Sequence, residues 1–374
     1  MEEPHKIVLI LGNGFDLDLG LNTSYKDFWE SRFCPKDYPA PLIKHLNQSW
    51  PERLDAVKWY DLENELLYYY NSRKDNPDYP DVISPELLEY VRCFDEYEYT
   101  CRSYSAIDEE MQELVKLGYG VFNQHPCWAF IPLQDDFNHS QSWRDRKALQ
   151  LIKDGLCKYL SSIDMPISES LTIAFHLLLA MTKCVKAGNT VDIYTFNYTR
   201  VQMRGDSVDD IPVHYMHGSC EDGKIIVGTR DGTPMTPEYD FLQKVMDDSY
   251  SPPDILTALD NADEVIVFGH SLGENDRQYF EQFFTKQAGN DSIKKPLIVV
   301  FTRDSNSKND IKRSLKSLTG DRLSLLYNTN QPIIIRTDEL KQDQKLFFDF
   351  LVTHHTDRHY ASEVIGKLLN SNAH

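Results

Sequence analysis

LILGNGFDLDLGLNTSYKDF, residues 9–28, joins an apolar strand to a helix through Gly12-Asn13-Gly14. The run from Lys6 to Leu11 is continuous, rich in Ile and Val and of strand length, which suits a parallel strand buried on both faces. It predicts the first central strand of an α/β sheet. Gly12 and Gly14 permit backbone angles closed to residues with a Cβ and leave room for a close approach to the main chain. Asn13 tolerates left-handed geometry too. A strand, a glycine turn and a helix N-terminus together make a phosphate site, because unpaired N–H groups and the positive dipole end converge there. The dinucleotide fingerprint G-x-G-x-x-G is not met: Leu17 holds the position of its third glycine, and the next glycine is Gly20. A second reading stays open, a tight strand-to-helix turn with Asp16 as N-cap.

Composition narrows the function classes. At 374 residues with 41% hydrophobic side chains the chain holds one large domain or two, with material for a real core. The net charge of -19, from 39 Lys and Arg against 58 Asp and Glu, opposes nonspecific contact with nucleic acid or anionic membranes. A small anionic ligand in a local site remains compatible with it. No stretch approaches the ~20 apolar residues of a membrane span, and KIVLIL is too short for a signal-peptide core. The expected compartment is the cytoplasm. Seven cysteines without a C-x-x-C pair signal neither a disulfide framework nor a ribbon-type zinc site, so reduced thiols and no metal are expected.

Along the chain the grammar changes twice. Residues 1–30 carry the first strand and helix. Residues 31–164 show no convincing strand; Leu62, Leu66 and Tyr69 or Tyr70 recur at helical spacing, which predicts a large helical insertion. From 165 to 374 sheet grammar returns, opening with the helix SESLTIAFHLLLAMTKCVKAG closed by Gly188. Strand candidates follow at TVDIYTFNYT, VHYMHG, KIIVGT, DEVIVFGH, PLIVVFT and LSLLYN, and the segment ends in a C-terminal helix.

Several strands end in polar residues: Asn197 after IYTF, His217-Gly218 after VHYM, and Gly269-His270-Ser271 after VIVF. In an open parallel sheet the ligand crevice lies at the carboxyl ends of the strands, so Gly14, Asn197, His217 and Ser271 can meet there although up to 257 positions separate them. Each also has a structural explanation: Asn197 as a turn residue, His217 as a satisfied core histidine, Ser271 with Glu274 as a capping box. Gly269 to Gly273 also satisfies G-x-S-x-G, the elbow of serine hydrolases, for which Asp304 and His354, His355 or His359 stand in the right order. That reading gives GNGFDLDLG and TFNYT no task.

The combination of LGNGFDLDLGLNTSYKDF, WYDLE at 59–63, TFNYT, HGS and VFGHSLGENDRQYF resembles the AbiH family, bacterial proteins of abortive infection by bacteriophage. More distantly, the chain is similar to sirtuins and to sirtuin-like NAD-consuming domains of antiphage systems. Their Gly-Ala-Gly-Ile-Ser turn, Gln-Asn-Ile-Asp strand end, His-Gly and Gly-Thr-Ser-Leu resemble the segments at Gly12, Asn197, His217 and Gly269. The resemblance implies a Rossmann-like parallel sheet of sirtuin type with a large helical insertion, and NAD as substrate. It implies cofactor contacts from Gly12, Asn13, Gly14, Phe15, Asp16, Gly20, Gly269, Ser271 and Leu272. Asn197 would hold the ribose or the attacking water and His217 would be the base. Asp276 would cap the following helix or reach a ribose hydroxyl. Two departures stand out: the paired C-x-x-C zinc motifs of sirtuins are absent, and Asp16 replaces the serine of their turn, close to the expected pyrophosphate. The expectation is an antiphage protein that hydrolyses NAD or a related nucleotide at the N-glycosidic bond. The alternatives are a non-catalytic nucleotide-sensing or partner-binding module and a serine hydrolase. A nucleotide is the expected small-molecule partner, and a second copy or a defence protein the candidate macromolecular one.

Overall fold

A computed structural model describes residues 4–57, 61–74, 141–164, 172–203, 208–289 and 294–340. The expected C-terminal helix lies outside them, as do Trp59 and Tyr60. In chain order the first elements are β1 (Lys6–Leu11), α1 (Asn13–Leu19), α2 (Tyr25–Glu30), α3 (Pro41–Val57), α4 (Leu62–Lys74), α5 (Gln141–Ser161) and α6 (Ile173–Lys186). Then come β2 (Thr190–Thr195), β3 (Val213–Tyr215), β4 (Gly218–Ser219), β5 (Lys224–Ile225), α7 (Ile255–Asn261), β6 (Glu264–Phe268) and α8 (Glu281–Gln287). The last are β7 (Leu297–Thr302), α9 (Ser305–Leu318), α10 (Leu323–Thr329), β8 (Ile333–Arg336) and α11 (Thr337–Leu340).

The chain divides into two compact units. One comprises residues 1–24, 160–225 and 249–374, the other 25–159 and 226–248. The first unit holds a six-stranded sheet in the order β3-β2-β1-β6-β7-β8, every neighbouring pair parallel. One half of the sheet winds outward from β1 and the other from β6, so the winding reverses between these two strands. That is the switch point of a doubly wound Rossmann-like fold.

The apolar run of β1 is explained by its place at the centre. Ile7, Leu9 and Leu11 enter one core with Phe15 and Leu19 of α1 and Leu177, Leu178 and Met181 of α6. Val8 and Ile10 enter the other, with Leu259 of α7, Phe283 and Phe284 of α8, Leu315 of α9 and Leu326 of α10. All five residues are at most 3% exposed. At roughly 1.5–3 kcal/mol for each fully buried aliphatic side chain, no strand matters more to the sheet.

Two strand expectations are corrected, and one strand lies outside them. LSLLYN is helix α10, and its Leu326 packs into the second core; an apolar run this short has no period that separates strand from helix. KIIVGT contributes only Lys224 and Ile225, which pair antiparallel with Gly218 and Ser219 outside the main sheet. The sixth strand of the sheet is instead IIIR, residues 333–336, which pairs with β7.

The second unit contains α2 to α5 and residues 226–248. Its centre is the buried Asp145, which accepts hydrogen bonds from Tyr69 Oη at 2.5 Å, Leu42 N at 2.8 Å and Tyr239 Oη at 3.3 Å. Burial pushes that carboxyl up to about 6. The described part of WYDLE has packing roles. Asp61 accepts from Asn64 N at the start of α4, Leu62 is buried, and Glu63 pairs with the buried Lys244 at 3.0 Å.

Within the sheet unit the turns after β1 and β6 are bonded to each other. Gly12 N donates to Phe268 O and Gly14 N to Gly269 O, both at 3.0 Å. A Cβ at Gly12 would stand 2.6 Å from His270 Cα, and one at Gly14 would stand 2.7 Å from Gly269 Cα. Gly269 itself has φ +67, and a Cβ there would meet Phe15 N at 2.3 Å. Gly188 has φ +92 with nothing near it, so Gly188→Ala should cost only the left-handed strain, about 1–2 kcal/mol. Gly269→Ala adds a backbone clash and should cost at least about 1–3 kcal/mol more. Urea denaturation of the two variants checks this; equal losses would mean the two turns are not tightly packed.

Candidate functional site

The site lies on the sheet unit at the carboxyl ends of β1, β2, β3 and β6. The glycine turn after β1 is occupied by the protein's own atoms. Gly14 N bonds Gly269 O, and Phe15 N bonds Gly12 O at 2.8 Å, so two amides of the expected phosphate cradle already have carbonyl partners. Asn13 Oδ1 accepts from Thr23 Oγ1 at 2.6 Å. Phe15 is buried edge-on against Phe268. Gly20 is the left-handed C-cap of α1, with its N–H on the carbonyls of Asp16 and Leu17.

Asp16 is not the N-cap. Helix α1 starts after Gly12 with no side-chain cap, and Asp16 lies inside it, 4% exposed. Its Oδ1 accepts from Asn197 Nδ2 at 3.1 Å and its Oδ2 from Thr199 Oγ1 at 2.5 Å. Burial raises its carboxyl to about 7 against these two hydrogen bonds, which pull the other way. Asn197 Nδ2 also donates to Gly12 O at 3.1 Å, and Asn197 N to Thr195 Oγ1 at 3.1 Å. The TFNYT loop is thus pinned to the GNG turn through one buried acid. Thr199, a member of this network, had only its place in TFNYT to mark it.

A second network joins His217, Asp276 and His270. His217 Nε2 lies 2.9 Å from Asp276 Oδ1, and His270 Nε2 lies 3.2 Å from Asp276 Oδ2. The two rings are 4% and 6% exposed. His270 Nδ1 accepts the N–H of Leu272 at 3.0 Å, which puts the His270 proton on Nε2, facing the carboxylate. The Phe196 ring sits 5.4 Å from that of His217 and 4.2 Å from that of His270. Both imidazoles point at one carboxylate, and no metal-type grouping of three or more His, Cys, Asp or Glu occurs among the described residues. Asp276 is therefore not a helix cap: the short 3-10 helix Glu274–Tyr279 begins at Gly273, and neither it nor α8 has a side-chain cap. His270 was legible only as the variable position of G-x-S-x-G.

Ser271 and Leu272 separate in role. Leu272 is buried in the second core at φ 50. Ser271 is exposed, its carbonyl accepts from Ser314 Oγ at 3.0 Å, and its Oγ bonds no side chain among the described residues. The capping box with Glu274 does not form; Glu274 binds Arg277 and Ser317 instead. Positive φ falls on Gly269 and Leu272 rather than on Ser271, and Asp304 caps α9 through Ser307 N at 2.9 Å. The histidines considered for a serine triad lie outside the described residues. Cys34, Cys157, Cys184 and Cys220 form no disulfide among the described residues. Among the described residues no helix is long and apolar enough to cross a membrane.

A doubly wound parallel sheet with polar groups gathered at its switch point defines a Rossmann-like α/β protein. Its family follows from comparison: the model described as Bacteriophage abortive infection AbiH matches residues 8–295, and the chain belongs to the AbiH family. It is thereby a phage abortive infection protein. No curated protein and no solved structure matches it.

The raised carboxyl of Asp16 has a signed consequence. Its folded value, about 7, lies above the ordinary 3.8, so the folded state holds this proton more tightly. The stability it contributes is full below about pH 4 and is lost as pH rises through 7, on the order of 4 kcal/mol in all. Asp16→Asn should remove that part of the slope between about pH 4 and 7 in urea titrations. An unchanged slope would place the titration elsewhere.

Proposed function

We propose that this AbiH protein acts in abortive infection by hydrolysing NAD, or a related nucleotide, at the N-glycosidic bond to its base. The observation that supports this reading is the arrival of Asn197 and of the His217–Asp276 pair at the carboxyl edge of the sheet, beside the switch point between β1 and β6. The motif resemblance to sirtuin-like NAD-consuming domains points the same way.

The chemistry asks little of the protein. The bond from ribose C1′ to the nicotinamide nitrogen breaks through an oxocarbenium-like transition state, as in glycoside hydrolysis. Its electron pair stays on the nicotinamide nitrogen, and the base leaves neutral. A water oxygen bonds C1′, and its proton passes to His217. With Nε2 donating to Asp276, the basic nitrogen of His217 is Nδ1, and the carboxylate stabilises the imidazolium that forms. Asn197 holds the ribose or the water.

One observation favours the nucleotide-sensing reading as second choice: the His217 ring is nearly covered, lying 5.4 Å from the Phe196 ring and 5.9 Å from that of Tyr279. Incubating the purified protein with NAD and following nicotinamide by chromatography separates the two. Cleavage should be seen, and Asn197→Ala and His217→Ala should each lower it at least about 100-fold. Ser271→Ala should stay within roughly ten-fold of wild type, the loss of a single hydrogen bond, and a fluorophosphonate probe should not label the protein. NAD binding by calorimetry without nicotinamide release would favour sensing. Labelling at Ser271 would favour the serine hydrolase.

A further inference from the structure

The geometry points to Asp16 as a positioning residue that sets which way the Asn197 amide faces, and through it the kind of ligand group this edge of the sheet accepts. The inference rests on the reading that Asn197 meets the nucleotide, and it goes beyond that reading in naming the ligand atom and the residue that selects it.

The argument starts from the amide's four hydrogen-bonding positions, two N–H donors and two acceptor sites on the oxygen. Both donors are taken: Asn197 Nδ2 gives one to Gly12 O and one to Asp16 Oδ1, each at 3.1 Å. An amide flipped by 180° would turn its oxygen on a carboxyl oxygen and a carbonyl oxygen, acceptor against acceptor, so the observed orientation is the one these neighbours enforce. Asp16 is itself held on its other oxygen by Thr199. Asp18, on the same short helix, faces elsewhere and accepts from Ala174 N at 2.9 Å. Asn197 Oδ1 makes no bond to the protein among the described residues. What Asn197 offers a ligand is therefore an acceptor.

An acceptor selects a donor. A ribose hydroxyl or a water can satisfy Asn197 Oδ1; a phosphate oxygen cannot. In the turn beneath, Gly14 N and Phe15 N are likewise bonded, to the carbonyls of Gly269 and Gly12, and a carboxyl stands three positions after Asn13. Asn197 thus reads a hydroxyl rather than a phosphate oxygen.

The test reads the amide directly, independently of cleavage. With asparagine side chains labelled with nitrogen-15 and Asn197 assigned by its loss in Asn197→Ser, the Asn197 amide pair should exchange slowly with solvent. Nicotinamide riboside should shift that signal and inorganic pyrophosphate should not. Asp16→Asn can offer its own carbonyl to Asn197 and its amino group to Thr199, and should keep the slow exchange. Asp16→Ala should speed exchange at least about ten-fold and abolish the riboside shift. The assignment is overturned if the wild-type pair exchanges fast, if a folded Asp16→Ala leaves it unchanged, if pyrophosphate moves it and riboside does not, or if neither does. Should Asp16→Ala fail to fold, the two ligands on wild type and the Asp16→Asn exchange still decide. A riboside shift without NAD cleavage keeps the role of Asp16 and removes the hydrolase reading; NAD cleavage with an indifferent Asn197 amide does the reverse.

Discussion

Two backbone hydrogen bonds beyond the ends of β1 and β6, from Gly12 N to Phe268 O and from Gly14 N to Gly269 O, hold together the two turns around which the polar groups of the sheet's carboxyl edge are arranged. In most doubly wound proteins the loops diverge at the switch point and leave a crevice for the ligand. Here they stay in contact, and glycine is needed on both sides because backbone meets backbone at less than a Cβ's distance. Asn197 is then aimed by the carbonyl of Gly12, and His270 starts from the strand end that Gly14 holds. The site is arranged around a closed seam.

Each unit is organised by a buried carboxyl that accepts several hydrogen bonds. Asp145 anchors two tyrosines and the amide of Leu42 in the helical unit, and Asp16 anchors the β2 loop in the sheet unit. Both are raised by burial against their hydrogen bonds. A buried acid with good partners fixes geometry more firmly than it adds stability, because the cost of removing its charge from water offsets much of what the bonds contribute. In Asp16 that geometry is the orientation of a single amide.

Sequence pattern reached far into this fold because the central strands of a parallel sheet are apolar on both faces, and KIVLIL, EVIVF and LIVVFT announce themselves. The pattern of polar strand ends likewise located Asn197, His217 and the Gly269 turn. It failed where tertiary contacts outvote local ones. LSLLYN has strand composition and is helical because Leu326 reaches a core built by α8 and α9. IIIR is short and follows a polar loop, so it offered no period to count. Nothing local marks residues 226–248 as belonging with the helical unit. Partnerships were the least legible of all: Asp16 with Asn197 and Thr199, and Asp276 with two histidines, are pairings over separations of 6 to 183 residues. A sequence shows which groups are present at strand ends and not which of them face one another.

The place of β1 has a consequence for synthesis. β1 leaves the ribosome before both of its sheet neighbours, residues 190–195 on one side and 264–268 on the other. At about 5–20 residues per second, its second neighbour emerges roughly 10–50 s after it does. Throughout that interval an apolar segment with at least one edge unsatisfied must be kept from other chains, so the sheet assembles late and its assembly is slow, as for any topology dominated by distant pairings. The strand that makes the mature protein stable is, during its birth, the segment that most needs shelter.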